Sequence, residues 1–179
     1  MQPRIPRQSA REQDGRRPDS FDCDARFSDE LASVVSGARR RAVRDGDRQI
    51  DTAHLLHSLL ECDPEVRALF DDEPQTARLL GYLVQRSIGY GLRWQGTVED
   101  SGAVPVVTAA AGFSPLAAAA MEYACARAAR RGDGRAGGID LLAAVVADPQ
   151  ARAVEVLTRA GVDPLVVYRR IEERLGRTV

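Results

Sequence analysis

The chain has 179 residues, 44% of them hydrophobic and 28% charged, with a net charge of −1. Those values suit one soluble domain or two small fused ones, and they exclude a global field that would draw the molecule to nucleic acid or an anionic membrane. All 25 basic residues are arginines and aromatic residues make up 5%, while alanine and leucine, both good helix formers, are abundant.

The first twenty residues, "MQPRIPRQSAREQDGRRPDS", carry arginines without an apolar core, so they do not read as a secretory signal. Residues 1–24 read as a disordered arm. No apolar run has the length of a membrane span. Cys23, Cys62 and Cys125 are isolated and odd in number, which argues against a disulfide framework or a zinc site and fits a reducing cytoplasm.

Sliding the chain against itself by 86 residues aligns two stretches without a gap. Phe27-Ser28 falls on Phe113-Ser114, Ala38 on Ala124, Arg41 on Arg127, Gly46-Asp47 on Gly132-Asp133, and Leu55-Leu56 on Leu141-Leu142. A shared Phe-Ser start, helical period, Gly-Asp stop and Leu-Leu restart indicate a duplication. Residues 25–90 form the first copy and 113–176 the second.

In the first copy Ser28 is placed as an N-cap, with Asp29 and Glu30 in the favourable first turn. Leu31, Val34, Val35, Ala38 and Ala42 make one apolar stripe, and Gly46 ends the helix. Asp51 or Thr52 caps a second helix carrying Leu55, Leu56, Leu59 and Leu60. Asp63-Pro64 opens a third. A fourth presents Leu79, Leu80, Leu83, Val84 and Ile88 on one side. In the second copy Ser114-Pro115 opens a helix ending at Gly132, and Asp140 to Ala147 forms a short second helix. Asp148-Pro149 opens a third that Gly161 ends, and Asp163-Pro164 opens the last, with Leu165, Val166, Tyr168, Ile171 and Leu175 apolar. The expected fold is therefore all-α: pseudo-twofold duplicated four-helix repeats, about eight helices in total. Residues 91–112, with Trp94 and the β-favouring run Val104 to Thr108, read as a linker or a short β-hairpin.

The segment "RFSDELASVVSGARRRAVRDGDRQIDTAHLLHSLL", Arg26 to Leu60, resembles the opening of the Clp N-terminal repeat domain. That pattern starts with Arg-Phe-Thr/Ser and leads through an alanine-rich helix and a glycine to Ile-x-Thr-Glu-His-Leu-Leu. The segment from Gly112 to Asp163 resembles the second half of the same domain. The resemblance implies an eight-helix, pseudo-twofold module that binds substrates or adaptors and passes them to an AAA+ ring. No ATPase module is expected here, because a GxxxxGK[ST] phosphate loop needs a lysine and the chain has none.

The resemblance thus implies a non-catalytic, cofactor-free, cytoplasmic binding module, a monomer or weak dimer. Its partners would be a protein or peptide, including Clp unfoldase or protease components. A decoy that sequesters cyclic-peptide toxins aimed at Clp is the alternative. It also implies a ligand surface near Phe27, with Tyr82 and Gln85 of the fourth helix, and a helix-ordering role for His54. Some family members read phosphorylated arginine through a glutamate beside the histidine of each copy. Those positions are Ala53 and Ile139 here, and neither accepts a bond from a guanidinium.

The two histidines, His54 and His57, share a helix face. Structural zinc takes four ligands and catalytic zinc three, Cys62 is too distant, and no HExxH spacing occurs, so no metal site is expected. His54 is expected partly buried and hydrogen-bonded, and His57 mostly exposed. No nucleophile–base pair stands out, so no enzyme is expected. The arginine clusters "RRRAVR" and "RAARR" read as solvated helix faces. A nucleic-acid binder is disfavoured by the near-zero net charge.

Overall fold

The computed structural model describes residues 24–70, 73–85, 94, 97–100 and 112–176. After a short 3-10 turn at Asp24–Arg26, the described residues form eight α-helices: α1 (Asp29–Asp45), α2 (Thr52–Cys62), α3 (Pro64–Arg67), α4 (Glu73–Gln85), α5 (Pro115–Arg131), α6 (Gly138–Ala147), α7 (Arg152–Arg159) and α8 (Pro164–Gly176). The fold is all-α, and the β-type pairing among these residues consists of two single-residue bridges. The hairpin reading of Val104 to Thr108 lies outside the described residues.

The first helices of the two copies are built alike. Ser28 Oγ accepts from the Leu31 amide and Ser114 Oγ from the Ala117 amide, each at 3.1 Å. Each helix runs 17 residues. Each ends on a glycine in the left-handed region, Gly46 at φ 71° and Gly132 at φ 82°, which a side chain would strain.

The copies clasp one another reciprocally. Phe27 bridges Ala136 and Phe113 bridges Ile50. The Ser28 amide donates to the Ala136 carbonyl at 2.9 Å, and the Ser114 amide donates to the Ile50 carbonyl at 3.0 Å. These two links exchange under the 86-residue shift found in the sequence, so the duplication is also a pseudo-twofold interface.

At the centre lie α2 and α6. Thr52 to Leu60 and Gly138 to Val146 are buried without interruption. The sequence suggested a leucine stripe on α2, yet both helices are covered on every side, α2 by α1, α4, α6 and α7. This corrects the expectation for His57, which is 3% exposed. The outer helices keep true stripes. α4 buries Leu79 and Leu83 and α8 buries Val167 and Ile171, while Val84 and Leu165 face solvent.

The third helix of the second copy starts at Arg152, not at Asp148-Pro149. Asp148 instead closes a turn: its carboxylate accepts from the Gln150 amide at 2.8 Å and its carbonyl from the Ala151 amide at 3.0 Å.

Gly138, at the start of α6, approaches Asp63 between α2 and α3. A Cβ placed there would lie 1.9 Å from Asp63 Oδ2 and 3.2 Å from Leu59 Cδ2. Asp63 caps α3 through the Glu65 and Val66 amides, so it cannot swing away without releasing them. Gly138→Ala is therefore expected to lower the unfolding free energy by about 1–3 kcal/mol in urea titrations. Gly134→Ala, where no atom lies within 4 Å, should leave it nearly unchanged.

Candidate functional site

The junction of the copies is organised by one carboxylate. Glu99 is 3% exposed and reaches inward from the segment between the copies. Its Oε2 accepts from the Thr52 amide at 2.9 Å and from the Ser114 hydroxyl at 2.6 Å. Its Oε1 accepts from the Arg152 amide at 2.7 Å and also meets the Thr52 hydroxyl. The first residues of α2 and α7 and the N-cap of α5 therefore share a single anion, which satisfies amides that helix starts leave open. Burial raises the Glu99 pKa, and the neighbouring Asp51 raises it further; the hydrogen bonds from Ser114, Thr52 and Arg152 oppose both.

Arg152 extends the network. Its Nη1 donates to Asp51 Oδ2 at 2.9 Å, its Nη2 to the Thr97 carbonyl at 3.0 Å, and its guanidinium lies 5.2 Å from the centre of the Trp94 ring. Trp94 Nε1 donates to Glu155 Oε2 at 3.2 Å. The inter-copy segment is thereby tied to both halves at its described residues.

Beside this network runs an apolar groove of about 360 Å³. Leu116, Ala119, Ala120, Ala144, Val145 and Ala147 line it from α5 and α6, and Thr52 of the first copy lies at its end. Tyr123 stands at the rim, 39% exposed, with the Arg130 guanidinium 5.6 Å from its ring centre. The groove owes its depth to alanines at positions 119, 144 and 147. In the first copy the matching positions are Ser33, Ser58 and Glu61, and the cleft there is smaller, about 210 Å³, and lined by Arg40, Arg41, Arg44, Ser58 and Glu61. The second groove offers an apolar lining and the first a charged one.

The residues singled out in the sequence fall elsewhere. Phe27, expected on an exposed ligand surface, is 3% exposed in the core, because its backbone pairs with Ala136 and turns the ring inward. Tyr82 is half-buried against the core and Gln85 is exposed at the end of α4. None of the three lines the groove. The residues that do build the junction, Glu99 and Arg152, left no mark in the sequence, because a capping carboxylate 47 positions from Thr52 has no local signature.

His54 is fully buried at the third position of α2. Its amide donates to Asp51 Oδ1 at 2.9 Å and its Nδ1 accepts from the Asp51 amide at 3.1 Å, a reciprocal cap. Its Nε2 lies 3.1 Å from Asp47 Oδ2. In the second copy Asp140 takes this place and accepts from the Gly137 amide at 3.1 Å. His57 instead faces Glu61, 3.4 Å away. The two imidazoles therefore serve separate neighbours. The positions that would carry guanidinium-reading glutamates, Ala53 and Ile139, are buried.

A duplicated, pseudo-twofold helical module with an apolar groove in its second copy is the class these features define. No family model matches the sequence, and no curated protein matches it. Solved structures do match the fold. The N-terminal domain of the caseinolytic protease associated chaperone ClpD from Arabidopsis thaliana superposes with a TM-score of 0.60 at 17% identity, covering 88% of this chain and 98% of that domain. The Hsp104 N-terminal domain from Candida albicans gives 0.61 at 12% identity, covering 84% and 91%. The chain has the fold of a Clp N-terminal domain. No helix among the described residues is long and apolar enough to cross a membrane.

Proposed function

We propose that this chain is a non-catalytic docking module of the Clp protease and chaperone system, taking apolar side chains of protein or peptide ligands into the groove between α5 and α6. The observation that carries the reading is the groove itself, an alanine-floored apolar slot beside the inter-copy junction, in a fold shared with the N-terminal domains of the chaperone ClpD and of Hsp104. The arginine-lined cleft of the first copy gives the module one apolar face and one basic one.

Ala119 and Ala147 are exposed on the groove wall, so charges can be placed there without entering the core. Binding of fluorescein-labelled unfolded casein fragments, followed by anisotropy, is expected to weaken at least tenfold in Ala119→Glu and Ala147→Glu while the melting temperature holds, since a carboxylate in an apolar slot costs on the order of 1.4 kcal/mol or more. Calorimetric titration with phospho-arginine is expected to give no heat, because Ala53 and Ile139 are apolar and buried. Binding of a cyclic-peptide Clp inhibitor, with no affinity for casein fragments, would redirect the reading to a toxin-sequestering decoy.

A further inference from the structure

The corner between α1 and α2 differs in kind from its counterpart in the second copy. Under the 86-residue shift Asp45, Asp47 and His54 correspond to Arg131, Asp133 and Asp140. In the second copy this corner neutralises itself. Arg131 Nη1 lies 2.5 Å from Asp140 Oδ1, and its Nη2 lies 2.9 Å from Asp140 Oδ2 and 2.8 Å from Asp133 Oδ2. A guanidinium thus sits between two carboxylates.

In the first copy the built-in cation is replaced by an acid, Asp45, and one carboxylate by an imidazole, which leaves two acids and a histidine. Asp45, Asp47 and His54 each bring one ligand atom to within 4.8 Å of the others. His54 is fully buried, and its Nε2 points into this cluster, 3.1 Å from Asp47 Oδ2. Asp51 Oδ1 lies 2.9 Å from the opposite ring nitrogen, Nδ1. The Asp51 amide also donates to Nδ1 at 3.1 Å, so in the metal-free form the ring proton sits on Nε2. A metal at Nε2 would displace that proton, and the ring would then carry its proton on Nδ1, facing Asp51 Oδ1, which holds the imidazole in place. The neighbouring cations are Arg44, whose Nε is 3.2 Å from Asp45 Oδ1 on a largely exposed side chain, and Arg48 and Arg152, which line the cleft beside Asp47.

We infer that Asp45, Asp47 and His54 bind a divalent transition-metal ion, with zinc the best match. One imidazole and two carboxylates suit zinc or its first-row neighbours, whereas calcium and magnesium prefer all-oxygen shells. Bonds of about 2.0–2.2 Å place tetrahedral donors about 3.4 Å apart, so Asp45 and Asp47 need only small side-chain rotations. Asp47 also lines a polar cleft of about 470 Å³ with Gln49, Thr97 and Arg152, which leaves a fourth position open to solvent. The metal would do in the first copy what the Arg131 guanidinium does in the second. This site is separate from the apolar groove and stands independently of the docking function.

The full chain, stripped of metal and with its cysteines alkylated, is titrated with Zn(II) by calorimetry and with Co(II) by visible absorption. The expected result is one zinc per chain with Kd in the micromolar range or tighter, a Co(II) d–d band, and a raised melting temperature. Asp45→Arg, which restores the cation of the second copy, and Asp47→Asn should each weaken binding at least tenfold while the metal-free protein remains folded by circular dichroism. Should Asp45→Arg fail to fold, the partly exposed Asp47→Asn decides. Binding weaker than millimolar, binding lost on alkylation alone, or affinity unchanged in Asp47→Asn would overturn the site.

Discussion

Replacing Glu99 by alanine is expected to lower the unfolding free energy by about 3 kcal/mol, measured in urea at pH 7. The Thr52 and Arg152 amides and the Ser114 hydroxyl all donate to this carboxylate inside the protein. An alanine leaves those donors without their acceptor and removes the anion from the first turns of α2 and α7. Burial and Asp51 raise the Glu99 pKa, so ionised Glu99 carries a cost that its donors offset. Because the folded pKa is raised, the proton-linked part of its stability is present below the unfolded value near 4.5 and is lost as pH rises through the folded value. Glu99→Gln keeps the shape but turns an amide NH₂ toward a backbone donor, so an intermediate loss is expected. A loss under about 1 kcal/mol in Glu99→Ala would show that the junction does not depend on this residue.

The second large effect is a pH dependence set by His57. Burial, then the Arg41 charge, lowers its pKa from 6.5 to about 4, against the opposing influence of Glu61. The neutral imidazole is the folded form. Its contribution is complete above the unfolded pKa and is lost as pH falls from about 6.5 toward 4, where the unfolded chain takes up a proton that the folded chain refuses. The full span, about 2.5 pH units at 1.36 kcal/mol each, is of the order of 3 kcal/mol. His57→Gln removes this titration. The stability difference between wild type and His57→Gln is therefore expected to shift toward the variant by that order between pH 7 and 4. A constant difference would place His57 in water.

Local chemistry in the sequence accounts for much of the architecture. Ser28, Ser114, Gly46 and Gly132 are caps whose signals lie within their own helices, and all four occur where the pattern places them. The 86-residue correspondence reappears as the reciprocal Phe27–Ala136 and Phe113–Ile50 bridges. What stayed hidden depends on distant partners. The start of α7 is set by Glu99, far away in sequence, so Asp148-Pro149 misled. His57 looked polar and solvated because periodicity shows a stripe, and only the packing of α1 onto α2 reveals burial on the other side. Phe27 is placed on an exposed ligand surface by the family resemblance, whereas its backbone pairing with Ala136 of the other copy holds it in the core. The groove is written in small residues, Ala119, Ala144 and Ala147, which resemble ordinary helix formers until two helices set them face to face.

The most direct measurement is the affinity of the intact chain for labelled unfolded casein fragments, compared with that of Ala147→Glu. Saturable binding that falls at least tenfold in the variant, at equal melting temperature, is the predicted result. No binding by the wild-type chain, or equal binding by both proteins, would contradict docking in the groove.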